Sequence, residues 1–167
     1  MQQDGNIREP HRATGREEMS VAIAESIGKA SRKLAIYAPS LNPLFFNSAD
    51  TVAALATFCT TAPQNRVRFL VEQGDRTVRE NGRLVNLARR ISDLIEIRQL
   101  GEETAATAEM FMVVDNKGYL HQADSEKAQC VVDLEDTTRA GAFSNRFDRM
   151  WERSVVISGL HVLGLGR

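Results

Sequence analysis

Cysteine is scarce in this chain, with two in 167 residues, and its charges nearly cancel to a net of −1. Cys59 and Cys130 fall inside apolar, periodic segments with no C-x-x-C spacing. They read as reduced core residues, not as a disulfide or a metal site, and no cofactor is implied. The near-zero net charge leaves no global field to draw the chain to nucleic acid or acidic lipid. No apolar run approaches the ~20 residues that a membrane span needs. Residues 1–16 are polar and mixed in charge, which is not the pattern of a signal peptide. The expected location is therefore cytoplasmic, with no membrane partner. Neither G-x-G-x-x-G nor G-x-x-x-x-G-K-[ST] occurs, so nucleotide binding of the usual kinds is not expected.

What is present is ordinary for a globular domain: 43% hydrophobic and 26% charged residues, in a chain long enough to bury one real core. Residues 1–13 lack periodicity and read as a flexible arm. Thr14-Gly15-Arg16-Glu17 fits a capping box opening a helix to about Ser31, with Met19, Ile23, Ile27 and Ala30 as its buried stripe. Leu34–Ala38 is a short apolar strand suited to the centre of a sheet. The loop 39–47 follows at its carboxyl end, where sites form in open α/β sheets. That loop carries Phe45 and Phe46, which either cover the core or form a subunit contact. A helix over 48–61, a strand over 66–72, a helix capped by Asp75 and running to Ile91, and a strand over 94–100 come next. A polar loop over 101–107 leads to a β-hairpin. A strand over 128–134 follows, then a helix capped by Asp136 with Ala140, Phe143, Phe147, Met150 and Trp151 on one stripe. The glycine-punctuated tail, 155–167, is expected to dock on the domain or on a partner.

The hairpin organises the rest. Glu109–Val114 is a hydrophobic run ending in Asp115. Asn116-Lys117-Gly118 suits a three-residue loop with Gly118 left-handed, and the return strand reaches His121. Strand parity sends Ala108, Met110, Met112 and Val114 to one face, and Glu109, Phe111, Val113 and Asp115 to the other. Glu109 and Asp115 share a face but lie roughly 20 Å apart at strand rise, too far for paired carboxylate chemistry. His121 is expected near Val113. A chemical role for it is one reading and a half-exposed strand histidine the plainer one. Asp115 reads more simply as a turn residue than as a catalyst.

These residues resemble the catalytic hairpin of the phospholipase D-like superfamily, whose motif is H-x-K-x-x-x-x-D, a short turn and G-S-x-N. With Asp115 as the motif aspartate, the nucleophilic histidine falls on Ala108 and the phosphate-binding lysine on Met110. The G-S-x-N positions fall on Gln122, Ala123 and Ser125. The resemblance implies a histidine that attacks phosphorus and a lysine that neutralises the phosphoryl oxygens. Alanine supplies no nucleophile and a thioether no charge. The element order over residues 14–154, α-β-α-β-α-β-β-β-β-α, resembles one phospholipase D-like half: an α/β fold with a mixed sheet of about six to seven strands and helices on both faces. Phe147–Ser154 resembles the family's terminal helix. Gly82–Ile91 is similar to a helix of a bacterial branch of the fold, found alone or behind an acetyltransferase domain. Active members join two motif-bearing halves, so the single half here implies a homodimer, through Met110, Met112 and neighbouring loops.

One further feature is arginine-rich. Arg76, Arg79, Arg83 and Arg90 lie at helical spacing near one face, behind Arg66 and Arg68. Guanidinium grips phosphate and carboxylate in a bidentate way, so an anion or nucleic-acid face is one reading. The plainer one is a solvated face with pairs to the 133–136 region and the last helix. No aromatic residues interleave as a single-strand platform requires. Three functional classes follow: a non-catalytic interaction or regulatory domain, a nucleic-acid accessory protein using the arginine face, and an enzyme with a site rebuilt around Asp115 and His121.

Overall fold

The computed structural model describes residues 9–157 and Leu160. Eight strands form one mixed sheet. In chain order the elements are β1 (His11–Thr14), α1 (Arg16–Gly28), β2 (Lys33–Ala38), α2 (Pro43–Phe46), α3 (Ala49–Thr61), β3 (Arg66–Val71), α4 (Gly74–Glu80), α5 (Gly82–Arg90), β4 (Ile95–Gln99), β5 (Met110–Val114), β6 (Gly118–Gln122), β7 (Gln129–Asp133), α6 (Thr137–Glu152) and β8 (Val155–Val156). The strand order across the sheet is β1-β7-β6-β5-β2-β3-β4-β8. β2, β3 and β4 run parallel, joined by helical crossovers. β5 returns antiparallel against β2 and opens the β5-β6-β7 meander. This is the mixed α/β sheet expected from the sequence, with two more edge strands.

Those additions come from the segments read as arm and tail. His11–Thr14 pairs with β7 instead of remaining part of a flexible arm. Its corner is fixed by Gly15 at φ 95°, whose N–H donates to the Ala128 carbonyl at 2.7 Å. The expected capping box does not form. Gly15 is the N-cap of α1 and offers no side chain; Glu18 reaches back to the Thr14 N–H at 2.8 Å. At the other edge Val155–Val156 pairs with β4, and Ile157 is buried. Residues 158, 159 and 161–167 of the segment expected to dock lie outside the described residues.

The two faces of the sheet are unequally covered. The larger core joins α1, α2, α3 and α5 to one face, with Met19, Ile23, Ile27, Leu55, Phe69, Leu84 and Met112 buried within it. Among the described residues the other face carries α6 alone, packed through Ala140 and Phe147 on Tyr37, Leu70, Phe111 and Val113. β5 lies under both layers, so all five of its residues are buried. A continuous apolar run is what such a position selects. Each such side chain contributes ~1.5–3 kcal/mol on burial.

Four expectations require correction here. Met110 and Met112 are 2% and 0% exposed in the larger core, so that side of β5 is no subunit interface. Phe45 and Phe46 are buried as well, and Phe46 packs edge-on against Phe69. Only Leu44 in that helix faces out. The helix expected over 75–91 is two helices, α4 and α5, parted at Asn81. The Asn81 amide donates to the carbonyls of Leu41 and Thr77, each at 3.0 Å, which ties the break to the loop after β2. Asp75 sits in the first turn of α4, and Gln73 is its N-cap. Asp136 does cap α6, accepting from the Arg139 N–H at 3.0 Å.

The hairpin closes differently from the expected loop. Asp115 and Asn116 carry positive φ of 57° and 56°, and the Lys117 N–H donates to the Val114 carbonyl at 2.9 Å. Two left-handed central residues with that bond are the pattern of a type I′ turn, in which aspartate and asparagine are well tolerated. Gly118 is needed for a different reason. A Cβ there would lie 2.2 Å from the Leu134 Cα, where the chain leaving β7 crosses it.

Candidate functional site

Strand parity along β5 is as expected, and it separates the motif positions. Ala108 is exposed just before β5, its carbonyl accepting from the Ser125 N–H at 2.7 Å. Met110 points into the larger core. Asp115 lies at the far end of β5, five residues on, about 17 Å at strand rise. Its carboxylate accepts from the backbone N–H groups of Ser31, Arg32 and Lys33, at 2.7–3.0 Å for the closest oxygen, and from the Ser31 hydroxyl at 3.2 Å. Those N–H groups open β2, so Asp115 joins the hairpin turn to the start of the neighbouring strand. At the G-S-x-N positions, the buried Gln122 amide donates to the Lys127 carbonyl at 2.9 Å and fixes the turn after β6.

The polar cluster that the fold does assemble is elsewhere. Glu109 sits where the chain enters β5, at the carboxyl end of the parallel strands. His121 pairs in register with Phe111, not Val113 as expected, which makes it the diagonal neighbour of Glu109 across the hairpin. His121 Nε2 lies 2.7 Å from Glu109 Oε2. Arg146, from α6, donates through Nη2 to Glu109 Oε1 and, at 3.4 Å, to the Thr107 hydroxyl. Thr107 is itself held by the Tyr37 phenol, which donates to its carbonyl at 3.3 Å and accepts its N–H at 3.1 Å. Rings complete the support: Phe143 lies 5.0 Å from the His121 ring, and the Arg146 guanidinium lies 5.0 Å over Phe111.

Electrostatically the cluster is closed on itself. Burial alone would raise the Glu109 carboxyl, but the hydrogen bonds from Arg146 and His121, with the Arg146 charge and Thr107, outweigh it and hold the carboxyl below its usual range. A carboxylate that orients one imidazole nitrogen is part of many acid–base sites. Here the same carboxylate is shared with a guanidinium, and among the described residues no group of three His, Cys, Asp or Glu is placed to hold a metal ion. Asp115 and His121 are not brought together. The sequence relates Glu109 only to Asp115 and does not mark Arg146 as a site residue. The readable signal was Arg146 three residues after Phe143 on the buried stripe of α6.

The arginine face is divided by the break at Asn81. Arg76 and Arg79 lie on α4, Arg83 and Arg90 on α5, and all four are exposed. Arg76 pairs with Glu80 one turn on, at 3.2 Å. Arg68 belongs to the opposite face, paired with Asp148 of α6 at 3.1 Å and lying over Phe147 and Trp151. Both cysteines are free and buried, and burial pushes each thiol up to about 11. No helix among the described residues is long and apolar enough to cross a membrane.

Comparison with solved structures returns the same architecture. Nuc from Salmonella typhimurium, a phospholipase D family member, is similar at a TM-score of 0.62 and 17% identity, over 88% of this chain and 97% of its own. NucT from Helicobacter pylori is similar at a TM-score of 0.62 and 11% identity, over 89% of this chain and 100% of its own. TrmBL2, an archaeal chromatin protein, is similar at a TM-score of 0.61 and 11% identity over 91% of this chain, which spans 55% of TrmBL2. At these identities the likeness is one of fold. Among curated proteins, no sequence matches the chain. A family profile matches residues 15–163, nearly the whole sheet and its helices. The chain has a phospholipase D-like fold and belongs to the family described as Domain of unknown function (DUF7931).

Proposed function

We propose that the chain is a non-catalytic phospholipase D-like domain, an interaction or regulatory module without the His/Lys phosphodiesterase centre. The observation that carries this reading is the chemistry at positions 108 and 110: an exposed alanine and a core methionine, with neither nucleophile nor cation. The histidine on the adjoining strand is held by Glu109, and the Arg146 guanidinium beside it is engaged by the same carboxylate. A site rebuilt around Asp115 and His121 has little support, because Asp115 is committed to the backbone of 31–33 at the other end of the hairpin. The module acts as a homodimer, formed without the buried Met110, Met112, Phe45 and Phe46.

The test is intact-protein mass spectrometry after incubation with a chromogenic phosphodiester. The expected spectrum shows the unmodified chain alone. A phosphoryl adduct mapping to His121 would overturn the reading.

A nucleic-acid accessory role is the second reading. It is favoured by one observation, that TrmBL2, which shares the fold, is described as showing a novel mode of DNA binding. On this reading Arg79 and Arg83 contact phosphates, and binding weakens steeply with salt and in Arg79→Ala or Arg83→Ala. Absence of binding at low salt removes it.

A further inference from the structure

Because α6 covers only the middle of its face, the sheet floor beyond β6 is left open there. The ladders fix what lies on that floor. Arg12 of β1 pairs with Val131 of β7, which pairs with His121 of β6, so the three form one transverse row. Thr14 and Gln129 form the next row. At neighbouring-strand spacing, Arg12 and His121 stand about 10 Å apart across Val131. The turn after β6 rises beside them and brings Asp124 and Lys127. Together these residues line an open pocket of ≈ 320 Å³ on the sheet surface.

Its chemistry is lopsided. Arg12 and Lys127 are exposed and make no ion pair among the described residues. Asp124 is the one acid in the lining, and its carboxylate accepts from the Glu126 N–H at 3.0 Å. The charge of Glu109 is taken up by Arg146 outside the cavity. With Nε2 of His121 engaged by Glu109, the other ring nitrogen has no partner among the described residues. The supports are rigid as well. Arg12 stands on a paired strand, and the Lys127 turn is closed by the Gln122 amide and by the Lys127 N–H on the Asp124 carbonyl at 2.9 Å.

We propose that this cavity is a binding site for a small phosphate monoester, gripped by Arg12 and Lys127 with His121 at its inner end. Two cations fixed on separate supports suit a compact dianion, and a phosphate monoester carries about −1.5 to −2 at pH 7. The volume lies at the small end of ligand sites, about 300–1,000 Å³, which admits a sugar phosphate and excludes a duplex. The site uses neither position 108 nor position 110.

Titration calorimetry of the full chain with ribose 5-phosphate, inorganic phosphate and succinate tests it. Ribose 5-phosphate is expected to bind saturably at one site. Arg12→Ala and Lys127→Ala, both at exposed positions, should each weaken Kd about tenfold, the size of one charge-assisted hydrogen bond, while Lys117→Ala, exposed at the far end of the hairpin, leaves it unchanged. No saturable heat, or binding untouched by both cavity variants, would overturn the site. Binding of succinate as tight as that of the phosphate ester, or of inorganic phosphate with the ester silent, would overturn the ligand class.

Discussion

Glu109 accepts from Arg146 on one carboxylate oxygen and meets His121 on the other, and its side chain is only 17% exposed. That arrangement has a pH signature. A carboxyl held below its unfolded value contributes stability that is fully present above that value, about 4.3 for glutamate, and is lost as pH falls through the folded value. Glu109→Gln should therefore cost about 1–2 kcal/mol at pH 7. The gap to wild type should close as pH falls below about 4.3, as urea denaturation across pH 3–7 would show. A gap independent of pH would mean the pairing contributes nothing through charge. Asp115 is the contrasting residue. Its loss in Asp115→Ala leaves three N–H groups at the start of β2 without their acceptor and should cost about 2 kcal/mol, with ligand binding in the β1–β7 cavity unchanged. The sequence allowed this role, since a turn aspartate was the plainer reading. The partners on residues 31–33 were invisible because they lie 82–84 positions away.

At the scale of elements, the hairpin was legible as strands and misjudged at its turn. The run 110–114 and its return to 122 are there, but the left-handed positions are Asp115 and Asn116, not Gly118. A glycine suggests positive φ, yet here its missing side chain makes room for the chain at Leu134. Gly118→Ala must push backbone against backbone and should cost ~3 kcal/mol, the upper range for overpacking. A thermal midpoint within a degree of wild type would contradict the close approach. The helix over 75–91 was misjudged for a related reason. Helical spacing runs through Asn81 without a break, and nothing local reveals that its amide is needed by Leu41 forty residues earlier. The four arginines therefore looked like one face although two helices carry them.

At the scale of the molecule, the fold class and the middle of the sheet were readable because apolar runs and capping signals are local. The edges were not. β1 and β8 are short, and their burial patterns, one buried residue in four and none in two, carry no periodicity to detect. Which face of β5 would be sealed was also beyond parity, because it depends on α1, α2, α3 and α5 stacking on one side and α6 on the other. The single half-fold is expected to dimerise: light scattering at micromolar concentration should give twice the 18.6 kDa chain mass, and a monomer throughout would remove the dimer. The central claim, that no phosphodiesterase centre operates here, is tested most directly by turnover of a chromogenic phosphodiester by purified wild type and His121→Ala, side by side. Both are expected to match the buffer rate. Saturable turnover by wild type that disappears in His121→Ala would contradict it.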